Sequence, residues 1–469
     1  MKADILYSYP EYKEDIDQML NMLIENDEHV FVVLDDDPTG VQCVHDVNVY
    51  TDWTYESVKE AFNERLFFIL TNSRALGEDE SKKLHKEITD AVSKAAKETG
   101  KKYFYISRGD STLRGHYPME TDILSQGLMN DYGKVDGEIL LPFFKEGGRF
   151  TINDIHYVKY GDELIPCSET EFAKDKTFGY HSSDLKEYIQ EKSKGQIAKE
   201  DVLSVSLDDL RSFNIDKISE LLLNARNRQK IIVNAIDEKD VKVFCIALYK
   251  AIAQGQIFNF RSAAALVKCI GGISSRELLR KEEMIVEDNG NGGLILVGSH
   301  TDKTTRQLNR LKSLPGIETL ELRCSKLLEN EESFKEEIDR CIAIEEDRIF
   351  KGKTIVVYTE RVLISREDDS PEEALERSVR ISEGVYHLVK NLKVKPGFVL
   401  AKGGITSADV GVKGLGIRKA LVLGQIEPGI PVWKALAESK FPNIPYIIFP
   451  GNVGEDETLK NAVKKLLGQ

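Results

Sequence analysis

Residues 31–40 have the sequence FVVLDDDPTG, in which a short apolar run leads directly into three aspartates and a sharp turn. An unbroken apolar run of this length is typical of a strand that is buried on both faces, as in a parallel sheet. Similar runs recur along the chain, and amphipathic stretches such as 81–98, with apolar residues at helical spacing, lie between several of them. Strands that alternate with helices predict an α/β fold with largely parallel sheets.

The predicted strands form two series, which lie on either side of a glycine- and asparagine-rich segment at 288–293. The first series is 31–35, 66–71, 103–107, 139–143 and 231–235, and the second is 294–298, 354–358, 398–401, 421–424 and 446–449. Because glycine and asparagine are typical of connecting segments, we interpret 288–293 as a linker. We therefore expect two α/β domains, 1–285 and 290–469. The polar region 150–206 is expected to be an insertion or a patch of antiparallel strands in the first domain.

The composition, with 41% apolar and 30% charged residues, fits a soluble globular protein with a sizeable core. A chain of 469 residues is long enough for two or three domains. Its 64 Lys and Arg against 78 Asp and Glu argue against a long basic face for nucleic acid. No apolar run approaches the roughly 18 residues that a membrane span needs, and no secretion signal is visible at the N-terminus. The six cysteines are scattered without metal-ligand spacing, so we expect reduced thiols and a cytoplasmic location.

Polar residues follow several strands of the first series, where ligands bind in open α/β sheets. Three carboxylates at 35–37 repel one another unless a cation, an arginine or a hydroxyl-bearing ligand neutralises them. Arginines, serines and a further aspartate occur at 71–74 and 107–116, and 142–149 again ends in glycines and an arginine. Arginine can grip a carboxylate with two hydrogen bonds while Asp and Ser bind hydroxyls, which predicts recognition of a polyhydroxylated acid.

Two structural interpretations compete with ligand binding in the first domain. The aspartates at 35–37 could form a solvated turn in which one of them caps a helix. Alternatively, Arg74 and Arg114 could form an internal salt-bridge cluster with the aspartates, an arrangement that does not exclude ligand binding.

Three glycine-containing turns follow strands of the second series, at 298–301, 402–407 and 450–454. Glycines permit close approach of the backbone, and free N–H groups at a helix start bind phosphate, so the three turns together predict a nucleotide-phosphate site. Neither the P-loop pattern nor a G-x-G-x-x-G after a strand is present. For Gly404 we weigh two roles, an N–H that faces phosphate or a turn that needs a positive φ. His300 is interpreted as a loop histidine rather than a catalytic base.

Together these motifs resemble the four-carbon acid sugar kinase family. The resemblance rests on DDDPTG at 35–40, TNSRAL at 71–76, RGDSTLRGH at 108–116, PFFKEGGR at 142–149, NFRSAAALV at 259–267, GSHTDKTTRQL at 298–308, AKGGITSADV at 401–410, GQIEPGIP at 424–431 and PGNVG at 450–454. It implies an N-terminal substrate-binding domain, a C-terminal nucleotide-binding domain and an active site in the interdomain cleft. Three residues depart from the family pattern: Arg108 stands where Lys is common, His116 where Asn is common, and Ile405 where an acidic residue is usual.

The predicted function is that of an ATP-dependent kinase that phosphorylates a hydroxyl of a four-carbon sugar acid, such as threonate, erythronate or a 3-oxo-tetronate. The predicted site residues are Asp36 and Asp37 for catalysis; Ser73, Arg74, Arg108, Asp110, Ser111, Arg114 and Arg149 for the acid; and Ser299, Thr301, Gly403, Gly404, Ile405, Thr406 and Gly451 for ATP. Mg²⁺ is expected with ATP, and no ligands are assigned to it. The expected partners are the acid and ATP, without nucleic acid or membrane, and a homo-oligomer is compatible with this interpretation. A kinase for another hydroxy acid or polyol, or a non-catalytic sugar-acid sensor, is the alternative.

Overall fold

A computed structural model describes residues 1–362, 364, 370–451 and 453–469. These residues divide into two compact units. The first comprises Met1–Val44 and Asp52–Ser275, and the second comprises His45–Thr51 and Arg276–Gln469. Asn452, which belongs to the third predicted phosphate turn, lies outside the described residues.

Strands and helices alternate along most of the chain, as the sequence predicts. The strands are β1 (Val30–Asp35), β2 (Val47–Tyr50), β3 (Leu66–Leu70), β4 (Tyr103–Arg108), β5 (Gly137–Leu141), β6 (Arg149–Ile152), β7 (Ile155–Tyr160), β8 (Glu163–Pro166), β9 (Leu203–Val205), β10 (Gln229–Val233), β11 (Phe258–Ser262), β12 (Leu294–Val297), β13 (Ile317–Leu322), β14 (Thr354–Thr359), β15 (Val399–Lys402), β16 (Lys419–Glu427), β17 (Ile430–Ala435) and β18 (Pro445–Phe449). The α-helices are α1 (Ile16–Glu25), α2 (Tyr55–Ala61), α3 (Glu78–Thr99), α4 (Met119–Tyr132), α5 (Leu185–Lys192), α6 (Leu207–Arg211), α7 (Ile215–Asn224), α8 (Glu238–Ile252), α9 (Ala264–Ile270), α10 (Lys281–Met284), α11 (Asp302–Lys312), α12 (Lys326–Glu329), α13 (Glu331–Phe350), α14 (Pro371–Lys390), α15 (Gly404–Asp409) and α16 (Thr458–Leu467). Among the described helices, none combines the length and apolar character that crossing a membrane requires.

The first unit is built on a parallel sheet with the strand order β3-β1-β4-β11-β5-β10-β9. All six residues of β1 are buried, because helices cover a parallel sheet on both faces. Each predicted strand of the first series coincides with a strand of this sheet, which confirms the α/β prediction. The carboxyl ends of β1, β3, β4 and β11 consequently lie side by side at one edge.

The region 150–206 contains a small antiparallel sheet, in the strand order β6-β7-β8. Its strands alternate direction through short turns, and Asn153 and Asp154 adopt the positive φ values that a tight turn requires. The expectation of an antiparallel patch is therefore confirmed. Buried Tyr180 and Tyr188 from the same region pack in a cluster with Val158.

The second unit is built on a mixed sheet with the order β13-β14-β12-β15-β18-β17-β16-β2. Strands β12 to β15 and β18 run parallel, whereas β16 pairs antiparallel with both β17 and β2. The predicted strand 421–424 is thus too short, because β16 extends from Lys419 to Glu427. Its burial alternates residue by residue, as in a strand with one buried face, so the apolar run alone did not mark its ends.

Two segments belong to the second unit, although the predicted ranges 1–285 and 290–469 place them in the first domain. The segment His45–Thr51 supplies β2, and Leu279 packs in the second unit's core and donates its N–H to the carbonyl of Gln425 at 2.7 Å. The segment 288–293 lies within this unit rather than between the two, and the Asn291 amide donates to the carbonyl of Lys395 at 2.8 Å. Close packing explains the glycine at 293, because a side chain at that position would overlap the ring of Phe398.

Candidate functional site

Asp35, the last residue of β1, is a buried structural carboxylate. Its carbonyl accepts hydrogen bonds from the N–H and the hydroxyl of Thr71 at 2.9 and 2.8 Å, which ties β1 to the loop after β3. Arg108 lies 3.6 Å from the Asp35 carboxylate, yet burial raises the pKa of that group to about 8. A side chain at Gly40 would overlap the Asp35 carboxylate, so the Pro-Thr-Gly turn needs glycine at this position.

Asp37 has its oxygens committed to neighbouring groups. It accepts hydrogen bonds from the N–H of Thr39 at 2.8 Å and from the Thr39 hydroxyl, and it forms an ion pair with Arg74. Burial raises the pKa of Asp37, but the Arg74 guanidinium and the Thr39 hydrogen bonds outweigh it, and the pKa is lowered overall. A carboxylate held in this way is a weak proton acceptor.

Asp36 is in the opposite situation. Its exposed fraction is 3%, and neither carboxylate oxygen has a hydrogen-bond partner among the described residues. Burial raises its pKa, opposed by the positive charges of Arg74, Arg261 and Arg108, of which Arg108 lies 4.0 Å away. Because buried polar atoms almost always have partners, two carboxylate oxygens without a hydrogen bond distinguish Asp36 from Asp35 and Asp37.

Arg261, on β11, forms hydrogen bonds to three residues in this part of the site. It is not among the site residues predicted from the sequence. Its guanidinium donates to the Ser107 hydroxyl and to Glu120, both at 3.0 Å, and to the carbonyl of Arg114 at 3.0 Å. A Cβ at Gly115 would lie 2.7 Å from this guanidinium, and one at Gly109 would overlap it. The two glycines in the stretch RGDSTLRG therefore make room for an arginine from another strand.

The guanidinium groups of Arg74 and Arg114 flank Asp110. Arg74 lies 3.3 Å from one Asp110 oxygen, and the Nε of Arg114 donates to the other at 2.8 Å. Burial raises the pKa of Asp110, but the two arginines outweigh it and lower the pKa well below its ordinary value. Arg114 also lies 3.7 Å from Asp175 and over the ring of Phe172. The internal salt-bridge cluster that the sequence allowed is thus present in part: Arg74 pairs with Asp37, whereas Arg114 pairs with Asp110 and Asp175 and not with the aspartates at 35–37.

The remaining predicted acid-binding residues lie around this cluster. The Ser73 hydroxyl donates to Glu120 at 2.6 Å, and the Ser111 carbonyl accepts from the Nε2 of His156 at 2.8 Å. Arg149 begins β6 and places its guanidinium 5.5 Å from the centre of the Phe172 ring, which it shares with Arg114. The first unit therefore brings the predicted residues together at the carboxyl edge of its sheet.

In the second unit, the three predicted phosphate turns converge at the ends of β12, β15 and β18. A Cβ added at Gly403 would lie 3.4 Å from the Cβ of Ser299, and one at Gly451 would lie 4.0 Å from the Cα of Gly403. The hydroxyl of Thr304 donates to the Ser299 hydroxyl at 3.3 Å, and Thr301 caps α11 by accepting from the N–H of Thr304. Adjacent parallel strands explain the convergence, because their carboxyl ends meet at one edge.

Gly403 and Gly404 have different structural roles. Gly403 has φ 125° and ψ 142°, a conformation essentially restricted to glycine. Gly404 begins α15, and an added Cβ there would meet nothing within 4 Å in the structure. The alternative that Gly404 needs a positive φ is therefore wrong, since that requirement falls on Gly403. Ile405 has 67% of its surface exposed, whereas Thr406 is buried.

Two basic residues of this unit, Lys402 and Arg361, were not assigned from the sequence. Lys402 is fully buried, and its ammonium donates to the carbonyls of Pro450 and Gly451 at 2.6 and 3.0 Å. Arg361 follows β14 and donates to the Ser299 carbonyl and to the Thr305 hydroxyl. Burial lowers the pKa of His300, with a further contribution from Arg361, so this imidazole is neutral near pH 7. A charged residue at the end of an apolar run, as in VLAK, was the available signal for Lys402.

No group of three His, Cys, Asp or Glu side chains is arranged to hold a metal ion in the part of the chain that the structure describes. The acidic side chains at the first unit's site instead lie next to arginines, and Asp36 has Arg108 at 4.0 Å but no hydrogen-bond partner among the described residues. These carboxylates therefore do not by themselves supply a three-ligand Mg²⁺ site.

Comparison with known families gives a separate match for each half of the chain. Residues 31–270 match the model of a sugar-binding N-terminal domain, and residues 294–459 match the model of a nucleotide-binding C-terminal domain. The chain belongs to the four-carbon acid sugar kinase family. Its order of a sugar-binding domain followed by a nucleotide-binding domain is that of the family, so the resemblance seen in the sequence motifs is confirmed.

Solved structures share the fold of this four-carbon acid sugar kinase family member. Haemophilus influenzae protein HI1011, described as a DUF1537 protein, superposes with a TM-score of 0.64 at 18% identity, covering 93% of this chain and 100% of that one. A Salmonella typhimurium LT2 protein, provisionally described as a tRNA synthase, superposes with a TM-score of 0.66 at 14% identity, covering 93% and 99%. No curated protein matches the sequence. At these identities the similarity establishes the fold alone.

Proposed function

We propose that this protein is an ATP-dependent kinase that phosphorylates a hydroxyl of a four-carbon sugar acid of the threonate, erythronate or 3-oxo-tetronate type. The observation that carries the proposal is Asp36, a buried carboxylate with two free oxygens beside three arginines in the sugar-binding unit. Perturbed ionisable groups that lack a partner in the free protein are typical of catalytic positions. The nucleotide-binding unit supports ATP as the phosphoryl donor.

In the proposed reaction, a hydroxyl oxygen of the acid forms a bond with the γ-phosphorus of ATP while the bond from that phosphorus to the ADP oxygen breaks. The hydroxyl proton passes to a carboxylate oxygen of Asp36, and the products are the phosphorylated acid and ADP. The raised pKa of Asp36 suits this task because it makes the carboxylate a better proton acceptor near neutral pH. Asp37 is assigned to holding Arg74 in place.

The arginines of the first unit supply positive charge for an anionic substrate. Arg74 and Arg114 are already oriented by Asp110, and an arginine fork held in this way can bind a carboxylate with little loss of side-chain entropy. Arg108 lies near both Asp35 and Asp36. Its positive charge stabilises the ionised form of Asp36, which is the proposed acceptor of the proton from the substrate hydroxyl. Phosphoryl transfer depends mainly on such positioning and charge neutralisation.

ATP consumption across the stereoisomers of threonate, erythronate and 3-oxo-tetronate is the direct test. We expect acid-dependent formation of ADP and of a phosphorylated acid with at least one of these compounds. Turnover only with another hydroxy acid or a polyol would favour the first alternative. Tight binding of a sugar acid without any ATP consumption would favour a non-catalytic sensor and overturn the proposal.

Replacing Arg114 with alanine should raise the KM for the acid by about 10- to 150-fold, which corresponds to about 1.5–3 kcal/mol for a hydrogen bond to a charged group. The KM for ATP should change much less, because Arg114 belongs to the sugar-binding unit. Steady-state kinetics with each substrate varied in turn measures both constants. Asp175→Asn is a matched control, since it removes the peripheral ion pair and leaves Arg114 bound to Asp110. An effect of Arg114→Ala on the ATP constant alone would contradict the assignment.

Substitutions at the paired glycines should separate space for a phosphate from backbone conformation. Gly404→Val should weaken ATP binding at least tenfold while the melting temperature changes little, because an added Cβ has no neighbouring atom within 4 Å. Gly403→Asn should lower the melting temperature, because φ 125° with ψ 142° lies outside the left-handed region that asparagine tolerates. Calorimetry with ATP and thermal unfolding give the two readouts. Normal ATP affinity in folded Gly404→Val would refute a phosphate contact at Gly404.

A further inference from the structure

Lys402 carries a buried ammonium group without a counter-charge. Its exposed fraction is 0%, and none of the ion pairs among the described residues includes it. Its partners are the carbonyls of Pro450 and Gly451, and the ring of Phe449 lies 4.4 Å from the nitrogen. Burying an unpaired charge is costly, and proteins usually provide a carboxylate for it. Among the described residues no carboxylate pairs with Lys402, whereas Arg74, Arg114 and Arg261 of the first unit all contact carboxylates.

No acidic side chain among the described residues offsets the charge of Lys402. Residues Val297 of β12 and Phe449 of β18 flank it in the sheet. The charged and titratable groups near this end of the sheet are Asp302 and Lys303 on α11, His300 on the loop after β12, and Glu360 and Arg361 after β14. Of these, Lys303 is the group that perturbs Lys402, whereas Glu360 accepts hydrogen bonds from the N–H and the hydroxyl of Ser325. The hydroxyls of Thr406 and Ser407 on α15 are neutral. An anion that binds at this edge would therefore supply the missing negative charge.

We propose that Lys402 is the positioning cation of the nucleotide site: it fixes the Pro450–Gly451 turn against Gly403, compensates the charge of a bound nucleotide phosphate, and takes up a proton when that phosphate binds. The inference rests on the proposed binding of a nucleotide phosphate at the turns that contain Ser299, Gly403 and Gly451. Lys402 acts through its hydrogen bonds to the carbonyls of Pro450 and Gly451 and through its charge.

Proton uptake follows from the environment of the free site. Burial, with a smaller contribution from Lys303, lowers the pKa of Lys402 to about 7. At pH 8 most of the free protein then carries a neutral lysine. A nearby phosphate favours the charged form and raises the pKa, so binding at pH 8 should take up close to one proton. By reciprocity, nucleotide affinity should fall as the pH rises above 7, by up to about tenfold per pH unit.

Calorimetric titration of the full-length protein with MgADP at pH 8, in buffers with different ionisation enthalpies, counts the protons taken up. ADP is fully ionised at this pH and cannot be turned over without a phosphoryl donor. We expect close to one proton per ADP for the wild-type protein. Binding of MgADP without proton uptake would overturn the inference.

Variants assign the proton to Lys402. Lys402→Met should abolish the uptake and the pH dependence of affinity, and Lys402→Arg should abolish the uptake while retaining affinity, because arginine stays charged. Lys440→Met is the matched control, since Lys440 also donates to a backbone carbonyl and has a pKa lowered by burial, and it should keep the uptake. Unchanged uptake in Lys402→Arg would refute the assignment even if Lys402→Met fails to fold.

A parallel assay separates this inference from the proposed kinase activity. Acid-dependent ATP consumption by a wild-type protein that takes up no proton would overturn the role of Lys402 and leave the kinase proposal standing. Proton uptake at Lys402 without any acid-dependent ATP consumption would support the role of Lys402 and overturn the kinase proposal. Absence of MgADP and ATP binding would overturn both.

Discussion

Asp36→Asn is expected to lower kcat by about 10²–10⁴-fold, the contribution typical of general base catalysis. The amide is isosteric with the carboxylate and cannot accept the hydroxyl proton, so the loss should appear in kcat far more than in either KM. The melting temperature should change little, because the Asp36 carboxylate makes no hydrogen bond among the described residues. Steady-state kinetics together with thermal unfolding checks both expectations.

Asp37→Asn is the control that identifies the base. Asp37 is bound by Arg74 and by Thr39, so its replacement should disturb the position of Arg74 and raise the KM for the acid more than it lowers kcat. If Asp37→Asn loses kcat and Asp36→Asn retains it, the proton acceptor is Asp37. If both variants keep near wild-type kcat, the aspartates at 35–37 are structural.

Arg261→Met should destabilise the first unit by about 3–5 kcal/mol, the cost of leaving the other member of a buried ion pair without its partner. Glu120 is buried, and its pKa is lowered because Arg261 and His85 outweigh the effect of burial. Without Arg261, the Glu120 carboxylate and the Ser107 hydroxyl lose their shared donor. The free energy of unfolding from urea denaturation, followed by a probe in the first unit, measures the loss.

The double variant Arg261→Met with Glu120→Gln tests the reason for that loss. Neutralising Glu120 removes the buried charge, so the double variant should recover a large part of the stability that the single variant loses. Equal destabilisation in the single and double variants would show that packing of the arginine stem, and not the ion pair, is what stabilises the unit.

The fold was predictable because fully buried strands leave a strong local signal. The run at 31–35 coincides with β1 to within one residue, and the polar residues that follow such runs did lie together at the sheet edge. This success follows from a general rule, since parallel strands that are covered by helices must be apolar throughout and must present their carboxyl ends at the same side.

The residues that were missed depend on strand order and register, which a sequence does not encode locally. Arg261 alternates with Phe258 and Phe260 on β11, so its position in a strand could be predicted from the sequence. The residues that surround it could not be predicted, because β11 inserts between β4 and β5 and pairs Arg261 with Ser107, more than a hundred residues earlier. The burial of Lys402 likewise depends on the turn after β18 and not on its own stretch of sequence.

Strand β2 shows what this connectivity means for handling the gene. Val47–Tyr50 pairs with Lys419–Val422 of β16, although the two stretches lie at opposite ends of the coding sequence. A C-terminal expression fragment that starts at Arg276 keeps β16 and loses its partner, which leaves a row of unpaired backbone groups open to self-association. Chimeras that exchange the nucleotide-binding half between relatives therefore need to transfer residues 45–51 together with it.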